Sequence, residues 1–283
     1  MYYNIAAMKL EKFTDVSLKV FTGVLCAVAF LLTFTVSDYY IFNRIGFGEG
    51  QFNFFFVLSQ WVKKSGLLLI PLAVYANKKS CADIAKYVLP VFVIISCFVP
   101  DGFFTATSVT ADSTPADLVY AHINEFLPKA ANITFFYFSN FLYLAICALL
   151  FVKHGYKVSA KSFIYLPFAF FACTPLNIFE NFFDISKIPQ GSFLRFSNFS
   201  LWHFLAVLCL GGVTVGAYYF LKNKDRRLQD DYLLAAAIVL LIQYHSKDSV
   251  IMGDGYNVYH TVFACVPLFI CNLGVYAVCI TVI

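Results

Sequence analysis

Apolar residues fall in eight blocks along this chain, at about 18–37, 53–77, 84–100, 133–152, 163–179, 201–221, 231–245 and 258–283. Several approach the ~20 residues that a helix needs to cross about 30 Å of hydrocarbon. The polar connections between them alternate in charge. One set is basic, with Lys9, Lys12 and Lys19, then Lys78, Lys79 and Lys86, then Lys153, Lys157 and Lys161, and finally Lys222, Lys224, Arg226 and Arg227. The opposite set holds only Arg44, Lys129, Lys187, Arg195 and Lys247. Lys and Arg resist translocation and collect on the cytoplasmic side. The pattern predicts an all-α, polytopic transmembrane helical bundle of about eight spans in a cell membrane, with both termini cytoplasmic. The longest connection, 101–132, is then extracytoplasmic. Within it, "TPADLVYAHINEFL" has a proline at a helix start and apolar residues at three- and four-residue spacing, which predicts a short amphipathic helix on the outer surface.

Composition supports the same class. The chain is 60% hydrophobic and 13% charged, whereas a soluble domain carries roughly a quarter charged residues; too few are present to wet a globular surface. The first block is long and has no small-residue cleavage site after it, so it reads as a retained anchor rather than a signal peptide. Of nine cysteines, eight lie in apolar runs, Cys81 sits in a short lysine-rich loop, and there is no CxxC pair. They read as small buried apolar residues and not as a disulfide or zinc framework. There is no Gly-rich phosphate loop, no Ser-centred nucleophile elbow and no charged run suited to nucleic acid, and no motif calls for a cofactor. The glycines of "LGGVTVG" (Gly211, Gly212, Gly216) offer a small-residue face for helix packing.

Blocks one and two look like blocks seven and eight. "NRIGFGEGQFNFFFVLSQWVKKSG" in the first pair sits opposite "SVIMGDGYNVYHTVFACVPLFICN" in the second, and each carries a polar pair mid-block, Lys63–Lys64 and Cys271–Asn272. The orientations agree as a parallel tandem duplication requires. The stretch from "FSLWHFLAVLCLGGV" through "VPLFICNLGVY" resembles the YwaF-like integral membrane proteins. His203 matches the family's Ser-His-like helix start, and Pro267, Leu268 and Cys271 match its PLHLC-type motif, with Phe269 in place of the histidine. "LPVFVIISCFVPDG" and the helix after it are similar to the later helices of such a unit. The resemblance implies a first membrane unit over 1–200, with about five spans, and the start of a second over 201–283, with three. It also implies a reading frame continuing beyond Ile283; the alternative is a natural end, since twenty-six helical residues reach across about 39 Å.

Candidate chemistry lies in two places. His203, His245 and His260 open or close blocks at the outer side, near Asp248 and Asp254, with Glu180 and Asp184 of "NIFENFFD" at the same level. Histidine beside carboxylates suits a general acid–base pair, a proton-coupled substrate site or a metal; at a membrane boundary it also serves simply to hydrogen-bond headgroups. The second place is Lys63 and Lys64, ten to twelve residues into their block, where a charge costs at least ~2.5–3.5 kcal/mol. Either they line a wet cavity that attracts an anionic or phosphate-bearing ligand, or residues 51–62 lie flat and the lysines mark the interface. The family resemblance raises an acylated Cys271 with a histidine base, but Cys271 lies roughly 20 Å from the outer end of its helix, too far for that contact. Two functional classes stay open. One is a protein binding or transporting a lipid or small ligand through an outward-facing polar cavity, contacted by Lys63, Lys64, His203, His245, His260, Asp248 and Asp254. The other is an acyltransferase-like lipid-modifying enzyme at the outer leaflet, using His203 with Glu180 or Asp184.

Overall fold

The computed structural model describes residues 2–33, 54–99, 104, 129–174, 201–253 and 277. Among them the chain is helical, with no strand. Seven α-helices follow in order: α1 (Tyr2–Thr33), α2 (Phe54–Val74), α3 (Lys79–Ser96), α4 (Lys129–His154), α5 (Tyr165–Ala172), α6 (Leu201–Leu221) and α7 (Arg226–Gly253), with a 3-10 turn at Ala160–Ile164 leading into α5. Each coincides with one of the first seven apolar blocks; the eighth, 258–283, is described only at residue 277, and the surface segment 114–127 lies outside the described residues. Three stretches among the described helices are long and apolar enough to cross a membrane: Leu10–Leu32, Phe55–Val74 and Ala130–His154.

Several boundaries depart from the pattern, two of them with a plain physical reason. α1 starts at Tyr2 rather than near 18, because the polar arm continues the helix with Glu11 and Lys12 exposed. α5 stops at Ala172, well short of 179, with Cys173 as its cap. Thr174 precedes Pro175, and a proline ring disfavours helical backbone in the residue before it.

The bundle is organised around α2 and α3. They form an antiparallel hairpin whose turn places Asn77 at φ 53°, a left-handed conformation that asparagine tolerates better than most side chains. The Lys78 N–H closes the turn onto the Leu72 carbonyl at 3.0 Å. On one side α2 and α3 pack with α1 and α4 in a core that includes Leu25, Phe56, Ile70, Leu89, Phe136 and Ile146. On the other, Leu68, Leu69 and Ile84 pack against Ala169 and Cys173 of the α5 end and Ile242 of α7. α7, from the second proposed unit, therefore builds part of the same bundle as α2 and α5.

Close packing is tightest at Gly66. A Cβ there would sit 2.9 Å from Tyr143 Cε1 and 3.0 Å from Leu89 Cδ1, so α2, α3 and α4 meet at a point that admits only hydrogen. The small-residue face on α6 is different. Nothing lies within 4 Å of a Cβ built at Gly211, Gly212 or Gly216, and most of the described side chains of α6 are exposed. Several buried hydroxyls bond to their own helices, as Ser59 to Phe56 O, Ser65 to Val62 O and Ser139 to Phe136 O, which satisfies them where no water is at hand.

The four basic groups of the sequence meet at one end of this bundle. Lys153 pairs with Asp15 at 2.8 Å, Lys78 pairs with Asp231, and the Tyr75 hydroxyl donates to the Lys19 carbonyl at 3.0 Å. Lys86 reaches the carbonyls of Gly155 and Lys157.

Candidate functional site

The window 60–64 of α2 presents polar side chains to both sides of the bundle. Toward α4, the Lys63 ammonium is buried, with only 6% of the residue exposed. It donates to Asn140 Oδ1 at 2.5 Å and to Gln60 Oε1 at 3.2 Å. Its Nζ lies 4.5 Å from the centre of the Phe136 ring and 5.9 Å from that of Tyr143. Amide dipoles and ring faces of this kind support a cation away from water. The Tyr143 hydroxyl donates to the Lys63 carbonyl at 2.7 Å, so one aromatic wall is tied to the backbone of α2 itself. Gln60 is 5% exposed, and its Nε2 is buried without a hydrogen-bond partner. Asn140 Nδ2 reaches Cys97 Sγ at 3.5 Å.

Toward α5 and α7, the Trp61 indole N–H donates to Thr174 Oγ1 at 2.9 Å, and its ring stacks on Phe170 with centroids 4.5 Å apart. Gln243 of α7 donates from Nε2 to the carbonyls of Ala172 at 2.7 Å and Thr174 at 2.8 Å. It thereby satisfies backbone oxygens left open where α5 stops. Lys64 faces this side, close enough for its charge to act at Cys173. The two adjacent lysines therefore do not form one pair: Lys63 is enclosed between α2 and α4, and Lys64 is half-buried toward α5.

The remaining candidate residues divide as follows. His203 falls in the first turn of α6, and His245 and Asp248 fall in the later part of α7. Glu180, Asp184, Asp254, His260 and Cys271 lie outside the described residues. No group of three or more His, Cys, Asp or Glu suited to a metal occurs among the described residues, and the six described cysteines are free thiols.

A second buried charge cluster was not singled out in the sequence. In the first turns of α3, Lys86 Nζ pairs with Asp83 Oδ1 at 2.9 Å, both side chains 1% exposed or less. Lys86 also donates to Gly155 O at 2.9 Å and Lys157 O at 3.1 Å. Asp83 Oδ2 accepts from Ser162 Oγ at 3.1 Å and from the Ser159 N–H at 3.4 Å, and Tyr87 donates to the Tyr156 carbonyl. One helical turn thus clasps the whole connection between α4 and α5, whose entry is set by Gly155 at φ 66°. Burial alone would push the Asp83 carboxyl up, but the Lys86 ammonium and the Ser159 and Ser162 donors outweigh it and hold the group below its ordinary range. The i,i+3 spacing of Asp83 and Lys86 was visible in the sequence. The loop that buries them was not.

No protein-family model matches the chain, no curated protein is detectably similar to it, and no solved structure matches it.

Proposed function

We propose that the chain is a multipass integral membrane protein of about eight spans, with both termini cytoplasmic, that binds or transports a lipid or small anionic ligand at a polar site around Lys63. The observation that carries this reading is the Lys63 ammonium, buried part-way along a helix long and apolar enough to span, beside a Gln60 amide N–H without a partner. Ionisable side chains inside spanning helices are expensive and mark substrate or ion pathways. The orientation is supported by the gathering of the four basic groups at one end of the bundle, the end that the distribution of Lys and Arg assigns to the cytoplasm. His203, His245, His260, Asp248 and Asp254 belong to the outer mouth in this reading. Kinship with the YwaF-like proteins is part of the same proposal.

The test is thermal unfolding of the purified full chain against inorganic phosphate, acetate and phosphatidylglycerol, comparing wild type with Lys63→Met. At least one of the three should raise the wild-type Tm and leave the variant unmoved. If none discriminates between the two proteins, Lys63 does not hold an anion and the reading fails. A reporter inserted in 101–132 should lie outside the cell; a cytosolic reporter would overturn the orientation.

A further inference from the structure

A cavity of about 360 Å³ opens beside α1, lined by Glu11, Lys12, Asp15, Val16 and Lys19. It follows two adjacent ridges of the helix. Glu11, Asp15 and Lys19 stand four residues apart on one, and Lys12 and Val16 on the other. Thr14, Leu18, Thr22 and Leu25 of the same helix are buried in the bundle, so the cavity lies on the outward face. Two of its residues are tied to other helices. Asp15 pairs with Lys153 of α4 at 2.8 Å, and the Lys19 carbonyl accepts from the hydroxyl of Tyr75, just past the end of α2, at 3.0 Å. The backbone that carries the cavity is therefore held in place.

The order of chemistry along the helix narrows the choice of ligand. Glu11 and Lys19 are about 12 Å apart at 1.5 Å per residue, with the carboxylates toward the polar arm and Lys19 toward the apolar end. Beyond Val16 the same ridge continues through Val20 and Val24, both exposed, within a stretch apolar enough to cross a membrane. Carboxylate, ammonium and apolar ridge in that succession complement the amine, phosphate and acyl chain of a phospholipid lying in its own leaflet. A wholly anionic ligand would meet Glu11 and Asp15, and a wholly cationic one would meet Lys12 and Lys19. A zwitterion is opposed by neither pair. We propose that this cavity holds the headgroup of a phospholipid with a primary amine, of the phosphatidylethanolamine type, at the basic end of the bundle. Its ammonium donates to Glu11 and Asp15, its phosphate accepts from Lys12 and Lys19, and one acyl chain lies along Val16, Val20 and Val24. A quaternary amine has no N–H for the carboxylates, and among the described residues no aromatic ring lines the cavity to receive it instead. The site is separate from Lys63 and requires only that α1 spans the bilayer.

The test is competition on the purified full chain in detergent. Phosphatidylethanolamine labelled on its acyl chain is the bound probe, and unlabelled phosphatidylethanolamine, phosphatidylcholine and phosphatidylglycerol displace it. The ethanolamine lipid should compete at least about threefold better than either of the others, the scale of one or two exposed charge pairs. Glu11→Lys, at an exposed position, should erase the preference over phosphatidylcholine. Lys19→Gln should weaken all three lipids together and keeps the test open should the first variant not fold. Lys63→Met should keep the preference. Equal competition by the choline and ethanolamine lipids would show that the amine is not read, and stronger competition by the glycerol lipid would show that the lysines merely gather anions; either result overturns the proposal. A preference that survives Glu11→Lys, an affinity untouched by Lys19→Gln, or a preference lost in Lys63→Met overturns it as well.

Discussion

Among the described residues two lysines are buried, and they are held differently. Lys86 has three acceptors for its three N–H groups: a carboxylate one turn away and two loop carbonyls. None of them can turn away without unmaking the loop or the helix. Among the described residues, Lys63 meets two side-chain amides and two ring faces. A charge saturated by backbone and a fixed carboxylate locks an element in place. The described Lys63 contacts come instead from side chains of α2 and α4, with no carboxylate and no backbone carbonyl among them. Lys86 sits at the basic end of the bundle and ties down the connection between α4 and α5, and Lys63 lies inside a helix that is otherwise apolar enough to span.

The largest expected effect tests that contrast directly. Lys86→Met strands the Asp83 carboxylate in the interior and should destabilise by about 3–5 kcal/mol, whereas Lys63→Met leaves two amide oxygens unmet and should lose about 1–3 kcal/mol. Denaturant unfolding of both variants in the same detergent ranks them, and the double variant Asp83→Leu/Lys86→Met should recover much of the loss. Equal losses would mean that the two lysines are held alike and would erase the distinction. Gly66→Val comes next. It drives methyl groups into the ring of Tyr143 and the Leu89 side chain and should cost about 1–3 kcal/mol, lowering the Tm and loosening the aromatic wall beside Lys63; a Tm unchanged from wild type would show that the wall yields. The smallest effect is on pH. The Asp83 carboxyl is held low in the folded chain, so its contribution is fully present above the ordinary carboxylate value of about 3.9. It is lost only as pH falls through the depressed folded value. Below about pH 4 the unfolding midpoint of wild type should drop more steeply than that of Asp83→Asn. A wild-type curve no steeper than the variant's would contradict the clasp.

The helices were legible because hydrophobic blocks of this length admit few alternatives in the backbone. Residues 163–179 show how the block misleads: its apolar character runs through Pro175, but the helix ends at Ala172, and the proline that explains this was present in the sequence. Lys63 was legible as a charge in the wrong place. Its partners were not, since Asn140 lies 77 residues away and only the packing of α2 on α4 brings the amide to it. The glycines show the same limit. The repeated small residues of α6 drew attention through their spacing, whereas the close contact falls on the single Gly66, which stands among bulky neighbours and gave no pattern to read. The burial of Asp83 and Lys86 depends on a loop some 70 residues further on, so a local reading sees only two soluble charges.

The bridge from Gln243 to the end of α5 carries a consequence for biogenesis. The acceptor at Ala172 leaves the ribosome 71 residues ahead of the side chain that will cap it, an interval of roughly four to fourteen seconds at 5–20 residues per second. Through that interval the Ala172 carbonyl has no Gln243 to meet it, so another donor, such as water, must hold the place until α7 arrives.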